Sequence, residues 1–252
     1  NLGQLGDPPT HPELLDWLAC EFVARGWSIK SMHRLIVTSS AYRMSSVASF
    51  EGSIKDPQND LISRFDMRRL SAEELRDSIL SVSGQLDTKP YGPSIRVKIS
   101  SEVLAGQSRP GQGWKLSPPD EQNRRSIYIH VKRTLIEPLL SSFDFPDPDS
   151  SCEARFRTLQ PAQALTMMNG DFLNEQAGRL AERLVKERGD NTRDQVRLAY
   201  RLAICRSPND AEIERASDFI EKLKHKYDLG ANESLRVYCL LIYSLNEFLY
   251  VD

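Results

Sequence analysis

Two amphipathic helices are predicted near the start of the chain, on either side of Gly26. The apolar side chains of the first share one helix face: Leu14, Leu15, Leu18 and Phe22. Thr10 and Glu13 have the spacing of a capping box, and Pro12 stands in the first turn. We therefore expect the helix to begin at Thr10 and to end at Gly26, which favours a helix C-terminus.

The second amphipathic stretch runs from about Ser28 to Ser39. Its apolar side is formed by Ile29, Met32, Leu35 and Ile36, and its polar side by Lys30, His33 and Arg34. Residues 43–66 are polar and show little periodicity, so they are predicted to be a connector without regular structure.

A third helix is predicted from Ser71, because Ser71 and Glu74 again have capping-box spacing. Its predicted buried side chains are Leu75, Ile79 and Val82.

Residues 84–124 are rich in Gly, Pro, Ser and Gln. Residues 95–99 and 125–131 alternate between apolar and polar positions, which predicts two short strands that pair as a small sheet. In the second strand Ile127, Ile129 and Val131 would share one face, and Tyr128 and His130 the other.

The last hundred residues show helical periodicity throughout. Gln160 and Pro161 are predicted to start a short apolar helix, Gly189 to end a longer one, and Ser207 to cap another. The predicted apolar positions of these helices are Phe172, Leu173, Ala177, Leu180, Ala181, Leu184, Val196, Ala199, Tyr200, Ala203, Ile213, Ala216, Phe219, Ile220, Leu223, Leu235, Leu241, Leu245 and Phe248.

These patterns predict a mainly α fold. We expect a helical bundle-like domain with a small β-hairpin or two-stranded element and long loops. Residues 1–252 are interpreted as a single domain. It can be subdivided into residues 1–157, with helices and an irregular or β insert, and residues 158–252, a helical bundle.

The amino-acid composition argues against two classes of partner, nucleic acids and the membrane interior. The 33 basic and 35 acidic residues give a net charge of -2, so there is no basic excess of the kind that binds nucleic acid. No apolar run approaches the roughly 20 residues of a membrane span. We therefore expect neither a nucleic-acid partner nor a transmembrane segment.

The four cysteines do not form a metal or haem motif. Cys20, Cys205 and Cys239 lie in helical patterns, which predicts buried thiols, and the alternative is one disulfide that involves Cys152. No Cys-x-x-Cys-His segment is present, so no cofactor is expected in this chain.

Six segments carry a family resemblance: THPELLDWLA (10–19), GWSIKSMHRLI (26–36), RRLSAEELRDSIL (68–80), RRSIY (124–128), TLQPAQAL (158–165) and NEFLYVD (246–252). In this order they resemble the planctomycete-specific C-terminal domain of unknown function of large exported, cytochrome-like proteins. The resemblance covers nearly the whole chain. It brings no established activity, because the family itself has none to transfer.

The resemblance implies a context. The parent protein would be exported and extracytoplasmic, periplasmic or at the cell surface, with a c-type haem domain elsewhere in the same chain. Partners would be the other domains of the parent, or a cell-surface polysaccharide or protein. The family domain normally begins upstream of Asn1, so we expect this chain to be N-terminally incomplete relative to the family.

The polar residues of the first three predicted helices are the first candidate site: His11, Asp16, Trp17, His33, Arg34, Tyr42, Arg69, Glu74, Arg76 and Asp77. A His and a carboxylate brought together can transfer protons, so the catalytic candidates are His11, Asp16, His33, Arg69, Glu74 and Asp77. The structural alternative is a salt-bridge network that ties the helices together.

Two further segments contain candidate binding residues. Asp144, Asp147 and Asp149 alternate on a loop and are candidate Ca²⁺ ligands, and the alternative is a solvated loop whose carboxylates meet Arg155 or Arg157. On the predicted strand, Arg124, Tyr128 and His130 would line an anion- or sugar-binding face with Lys132. The alternative there is an ordinary solvent face.

No catalytic motif decides between enzyme and binding module, because neither a Gly-x-Ser-x-Gly elbow, a P-loop nor a His-Glu-x-x-His is present. The leading interpretation is a non-catalytic structural or protein-interaction domain. The first alternative is a hydrolase or carbohydrate-binding module of an extracytoplasmic polysaccharide-processing system. The second is a docking surface for a c-type haem electron-transfer domain, with exposed aromatic residues around Trp17, Trp27 or Trp114.

Overall fold

A computed structural model describes residues 6–152 and 154–252. The described residues form two compact units: unit 1 contains residues 6–68 with Asp252, and unit 2 contains Arg69–Val251. The boundary falls at Arg68 and Arg69, and the predicted division at residue 157 remains a prediction. The mainly α fold class is confirmed.

Unit 1 contains three helices, α1 (Pro12–Ala24), α2 (Ile29–Val37) and α3 (Phe50–Lys55). α1 packs against α2 across a turn in which Gly26 and Trp27 both have positive φ. Ser28 caps α2 by accepting a hydrogen bond from the Ser31 amide at 3.3 Å. The prediction of an irregular connector over residues 43–66 was wrong for α3, whose cap Ser49 accepts from the Gly52 amide at 3.0 Å.

The predicted capping box at Thr10 was also wrong, because His11 is the N-cap of α1 and makes no capping hydrogen bond through its side chain. The reason is Pro12, which occupies the first helical position, where its missing N–H costs nothing. A residue before proline is biased away from helical backbone angles. His11 accordingly has φ -132° and ψ 76° and lies outside the helix.

Unit 2 is an assembly of helices around α8 (Asp171–Arg188). α8 packs against α4 (Ala72–Ser83), α7 (Pro161–Asn169), α9 (Thr192–Ala203) and α11 (Ala231–Tyr243). α10 (Asp210–Tyr227) covers α9 and α11. The shorter helices are α5 (Ser101–Ala105), α6 (Pro138–Ser142) and α12 (Asn246–Leu249).

The core follows the predicted positions closely. In α8 the buried apolar residues are Leu173, Ala177, Leu180, Ala181 and Leu184, at the spacing of one helix face. The predicted line of α4 is buried as well, and Ser71 with Glu74 forms a complete capping box. Among the predicted apolar positions Leu241 is 44% exposed, and four more are half-buried: Phe172, Ala203, Phe219 and Leu245.

The predicted pair of strands at 95–99 and 125–131 was wrong. Ser126–Tyr128 is a 3₁₀ turn, and only an isolated bridge joins Ile95 to Ile129. Ile127 and Val131 are exposed while Ile129 is buried, so the apolar alternation does not mark one face. The two-stranded element lies elsewhere, between β1 (Arg68–Arg69) and β2 (Tyr250–Val251).

Two boundaries in the C-terminal half also differ from the prediction. α10 is capped by Asn209 in a capping box with Glu212, two residues after the predicted cap Ser207. The last predicted helix is two helices, α11 and α12, because Leu245 between them has extended backbone angles.

No helix in the described ranges is sufficiently long and apolar to span a membrane.

The buried-thiol prediction holds for Cys239 alone. Cys20, Cys152 and Cys205 are exposed, and all four thiols are free. Cys205 lies in a turn after α9, with φ +60°, so its helical pattern ends before it.

Candidate functional site

Arg69 lies at the centre of a buried polar cluster in unit 2. Its side chain is 4% exposed, and its Nη2 atom is 2.6 Å from Oδ2 of Asp144. Nη1 donates to the Thr158 carbonyl at 2.5 Å and to Oε1 of Gln163 at 2.9 Å. The guanidinium also lies over the Phe143 ring, 5.1 Å from its centre. A fixed arginine therefore joins β1 to the segment that leads into α7.

Asp144 is a partner of this arginine and not part of an open acidic loop. Its carboxylate accepts hydrogen bonds from the amide and the hydroxyl of Thr158, at 2.9 and 2.6 Å. Burial disfavours its charged form, but these bonds and Arg69 outweigh burial and lower the pKa of Asp144.

The other two candidate Ca²⁺ ligands also have protein partners. Oδ1 of Asp147 accepts from the Asp149 amide at 2.9 Å, and Asp149 lies 3.0 Å from Nε of Arg133. Arg155, which was expected to meet this loop, binds Glu73 instead through two hydrogen bonds. Among the described residues, no group of three or more His, Cys, Asp or Glu is arranged to hold a metal ion.

Asp77 and Arg76 anchor the 3₁₀ turn to α4. Oδ1 of Asp77 accepts from the amide and the hydroxyl of Ser126, both at 2.7 Å. Arg76 donates from Nη1 to the Arg124 carbonyl at 3.1 Å and from Nη2 to the Gln122 carbonyl at 2.8 Å. These side chains replace the strand pairing that the alternation had predicted for this segment.

Arg124 is buried at 1% exposure, so it does not line a solvent face. Its guanidinium donates to the carbonyls of Pro93 and Tyr91 and lies over the Tyr128 ring, 4.1 Å from its centre. The Tyr128 hydroxyl accepts from the Tyr91 amide at 2.8 Å. His130 is half-buried, with its ring 5.9 Å from that of Trp114. Arg124 and Tyr128 thus hold the loop at residues 89–93 in place.

The three candidates in unit 1 are not brought together. His11 is within 3.0 Å of the Thr10 hydroxyl, while Asp16 and His33 are exposed on α1 and α2. In the described part of unit 1, no hydrogen bond or ion pair joins any two of these three side chains. Glu74, the remaining catalytic candidate, accepts from the Ser71 amide in the capping box.

Sequence patterns did not reveal a polar cavity of about 480 Å³ in unit 2. We call it the α4–α8 cavity, and its lining comprises Arg76, Gln85, Val97, Lys98, Ser100, Pro119, Asp120, Gln122, Asn123, Glu137, Asp171, Phe172, Glu175, Gln176 and Arg179. Arg76 and Glu137 are both buried there.

Glu137 is the N-cap of α6, where its Oε2 accepts from the Leu140 amide at 2.9 Å. Burial raises the pKa of this carboxyl; the capping hydrogen bonds and the nearby Arg76 oppose the shift only in part. Burial likewise lowers the pKa of Arg76, against the attraction of Glu137 and Asp77. The only sequence signal for the cavity was the i, i+4, i+8 spacing of Asp171, Glu175 and Arg179 on α8.

Comparison with known families gives the origin of the chain. Residues 1–220 match the family model described as PSD1, protein of unknown function (DUF1553). The chain belongs to this family. No curated protein and no solved structure matches it. Membership in the PSD1 family confirms the resemblance inferred from the sequence segments and leaves the activity open.

The family segments meet one another in the PSD1 fold. Arg69 of the segment 68–80 binds Thr158 and Gln163 of the segment 158–165. Within the same unit, Arg76 and Asp77 bind the segment 124–128, and the Leu70 amide donates to the Leu249 carbonyl of the last segment at 2.8 Å. The polar side chains that mark this PSD1 chain in sequence therefore hold its irregular segments in place.

Proposed function

We propose that this PSD1 chain is a non-catalytic interaction module of an exported, cytochrome-like multidomain protein, and that the α1–α2 hairpin is its docking surface. The observation that carries the proposal is the exposure of apolar side chains on this hairpin. Neither helix contains a buried residue. Eight large apolar side chains in and beside the two helices are 40–67% exposed: Leu14, Leu15, Trp17, Val23, Trp27, Ile29, Ile36 and Val37.

Exposed apolar patches of this kind mark protein interaction sites more often than ordinary solvated surface. α2 has the clearest arrangement, because Ile29 and Ile36 share one face of the helix and the exposed Lys30 and Arg34 lie away from that face. The bonding of the polar family residues in unit 2 also supports a structural role. Arg69 and Arg76 are buried and bonded to protein acceptors, so they are not available to act on a substrate.

The occupant that we propose is the haem-bearing domain of the parent protein. Trp17 and Trp27 are 48% and 67% exposed, and aromatic side chains of this type anchor protein interfaces. Trp114, the third aromatic considered for such a surface, is buried and donates from Nε1 to the Val97 carbonyl at 3.0 Å. Of the three tryptophans, only Trp17 and Trp27 on the α1–α2 hairpin are therefore exposed enough to anchor such an interface.

The test is a binding titration between this chain and the separately purified haem domain of the parent. The double variant Ile29→Glu/Ile36→Glu is expected to weaken binding at least tenfold, because two charges replace the apolar side of α2. The matched control Lys30→Glu/Arg34→Glu changes exposed residues away from that face and is expected to alter binding less than threefold. Equal effects of the two variants, or no binding by the unmodified chain, would exclude the haem domain as occupant.

A further inference from the structure

The α4–α8 cavity has a fixed floor. Arg76 uses its terminal nitrogens on the carbonyls of Arg124 and Gln122, and its guanidinium lies 5.3 Å from the centre of the Phe172 ring. Oε1 of Gln176, which is also buried, accepts from the Ser83 hydroxyl at 2.8 Å. Because Arg76 is bonded to protein acceptors, it is part of the wall and is not free to clamp an anionic group.

The rim, by contrast, presents polar groups that the fold does not use. Asp171 and Glu175 lie one turn apart on α8 and so project from the same face. Asn123 and Gln85 are half-buried beside the floor. In the parts of the chain that the structure describes, these four side chains make no hydrogen bond or ion pair, and Lys98 and Asp120 on the same rim make none either.

The arrangement argues against a metal ion or an anion as the occupant. Although four carboxylates line the cavity, they do not form a group arranged to hold a metal ion within the described residues. The lining also contains three basic side chains, so its charges nearly balance and favour neither an anion nor a cation. Glu137 already accepts from the Leu140 amide. The other three carboxylates, those of Asp120, Asp171 and Glu175, can each accept a hydrogen bond from a separate point of a larger ligand.

The volume of the cavity and the chemistry of its lining residues limit the class of ligand that it can bind. A volume of about 480 Å³ lies within the roughly 300–1,000 Å³ of small-molecule sites. Carboxylates accept hydrogen bonds, amides donate and accept them, and an ammonium group donates. This mixture matches a ligand whose hydroxyl groups each donate and accept. Phe172 adds an aromatic surface for the C–H face of a ring.

We propose that the α4–α8 cavity binds an uncharged saccharide of one or two rings, with Asp171, Glu175 and Asn123 as its hydrogen-bonding residues. A polyamine fits less well because Lys98, Arg76 and Arg179 line the same space and repel cations. No residue of α1 or α2 takes part, so failure of saccharide binding leaves the docking proposal unaffected, and the reverse also holds.

The test is saturation-transfer difference NMR on the intact chain with glucose, galactose, mannose, N-acetylglucosamine, maltose and cellobiose as probes. At least one saccharide is expected to receive saturation. Glu175→Gln and Asn123→Ala are each expected to weaken its binding at least tenfold. Neither side chain has a hydrogen-bond or ion-pair partner among the described residues, so the variants are expected to keep the circular dichroism spectrum and melting temperature of the unmodified chain.

The matched control is Glu214→Gln, which removes an exposed carboxylate on α10, outside the cavity. It is expected to leave saccharide binding unchanged. Three results would overturn the proposal: no transfer to any of the six saccharides, equal binding by the cavity variants and the control, or transfer to spermidine in place of the saccharides.

Discussion

The buried Arg69 forms an ion pair with the half-buried Asp144, with a Nη2–Oδ2 distance of 2.6 Å, and Asp144 in turn accepts two hydrogen bonds from Thr158. This pair joins three segments that are far apart in sequence. The described residues between 144 and 158 form no helix or strand. Side-chain hydrogen bonds therefore hold this segment in place, as backbone hydrogen bonds do in helices and sheets.

Removing Arg69 is therefore expected to destabilise unit 2 strongly. Arg69→Ala removes the arginine donor from the Asp144 carboxylate, the Thr158 carbonyl and the Gln163 amide oxygen. Leaving a buried acceptor without its donor typically costs about 1–3 kcal/mol, and this variant affects three acceptors. Urea unfolding gives the free energy directly. The control is Arg133→Ala, since Arg133 and Asp149 are both largely exposed and such a pair contributes about 1 kcal/mol or less. Similar losses in the two variants would refute the structural role of Arg69.

The stability of the chain is expected to carry a pH dependence from Glu137. Burial raises its pKa in the folded state above the value of about 4.3 in an unfolded chain. The folded state binds the Glu137 proton more tightly than the unfolded state. The stability gained in this way is complete below about pH 4.3 and is lost as pH rises through the folded-state pKa.

Glu137→Gln tests this dependence because the amide stays neutral and still accepts the Leu140 hydrogen bond. The free energy of unfolding of the variant, relative to the unmodified chain, is expected to increase between pH 4 and pH 7. Urea titrations across this range measure it, with Glu175→Gln as the exposed control. A difference that is flat or decreases with pH would contradict the assignment.

Glu212 is expected to give a pH dependence of stability with the opposite sign to that of Glu137. Hydrogen bonds from Arg206 and from the Asn209 amide lower the pKa of its carboxyl to about 2. The stability that it contributes is present above the unfolded value of about 4.3 and is lost as pH falls through 2. Carboxyl-detected NMR is expected to find Glu212 still ionised at pH 3 and to find its pKa raised in Arg206→Ala. Protonation of Glu212 near pH 4.3 in the unmodified chain would be inconsistent with the Arg206 contact.

Thiol reactivity distinguishes the cysteines. Cys20, Cys152 and Cys205 are exposed, whereas burial raises the pKa of Cys239 and removes it from solvent. A colorimetric disulfide reagent is expected to label three thiols in the folded chain and a fourth only after denaturation. Labelling of two or fewer thiols after denaturation would indicate a disulfide, and peptide mapping would then show whether it involves Cys152.

The helices were predictable from sequence where local signals agreed. Ser71 with Glu74 predicted a capping box that forms, and the apolar spacing of α8 predicted its buried face. The same spacing at Thr10 and Glu13 failed, because Pro12 sets where the helix begins. The alternation at residues 125–131 failed as well, because Asp77 and Arg76 bind Ser126 and its neighbours in a 3₁₀ turn.

The candidate sites were less predictable, because partners distant in sequence decide what a polar residue does. Arg124 looked like a surface residue on a strand, yet its partners are carbonyls more than thirty residues away. Glu137 gave no signal at all, since only the packing of α4, α6 and α8 encloses it. The burial of these side chains and their hydrogen-bond partners, which the sequence does not show, therefore decide their roles.

Hydrogen–deuterium exchange of residues 12–37 tests the central claim, that α1–α2 is a docking surface, most directly. The exchange of these amides is measured in this chain alone and in the intact parent protein. We expect slower exchange over α1 and α2 in the parent, at least tenfold for amides beside Ile29 and Ile36, with α9 and α10 unchanged. Equal exchange over α1 and α2 in the two proteins would contradict the claim.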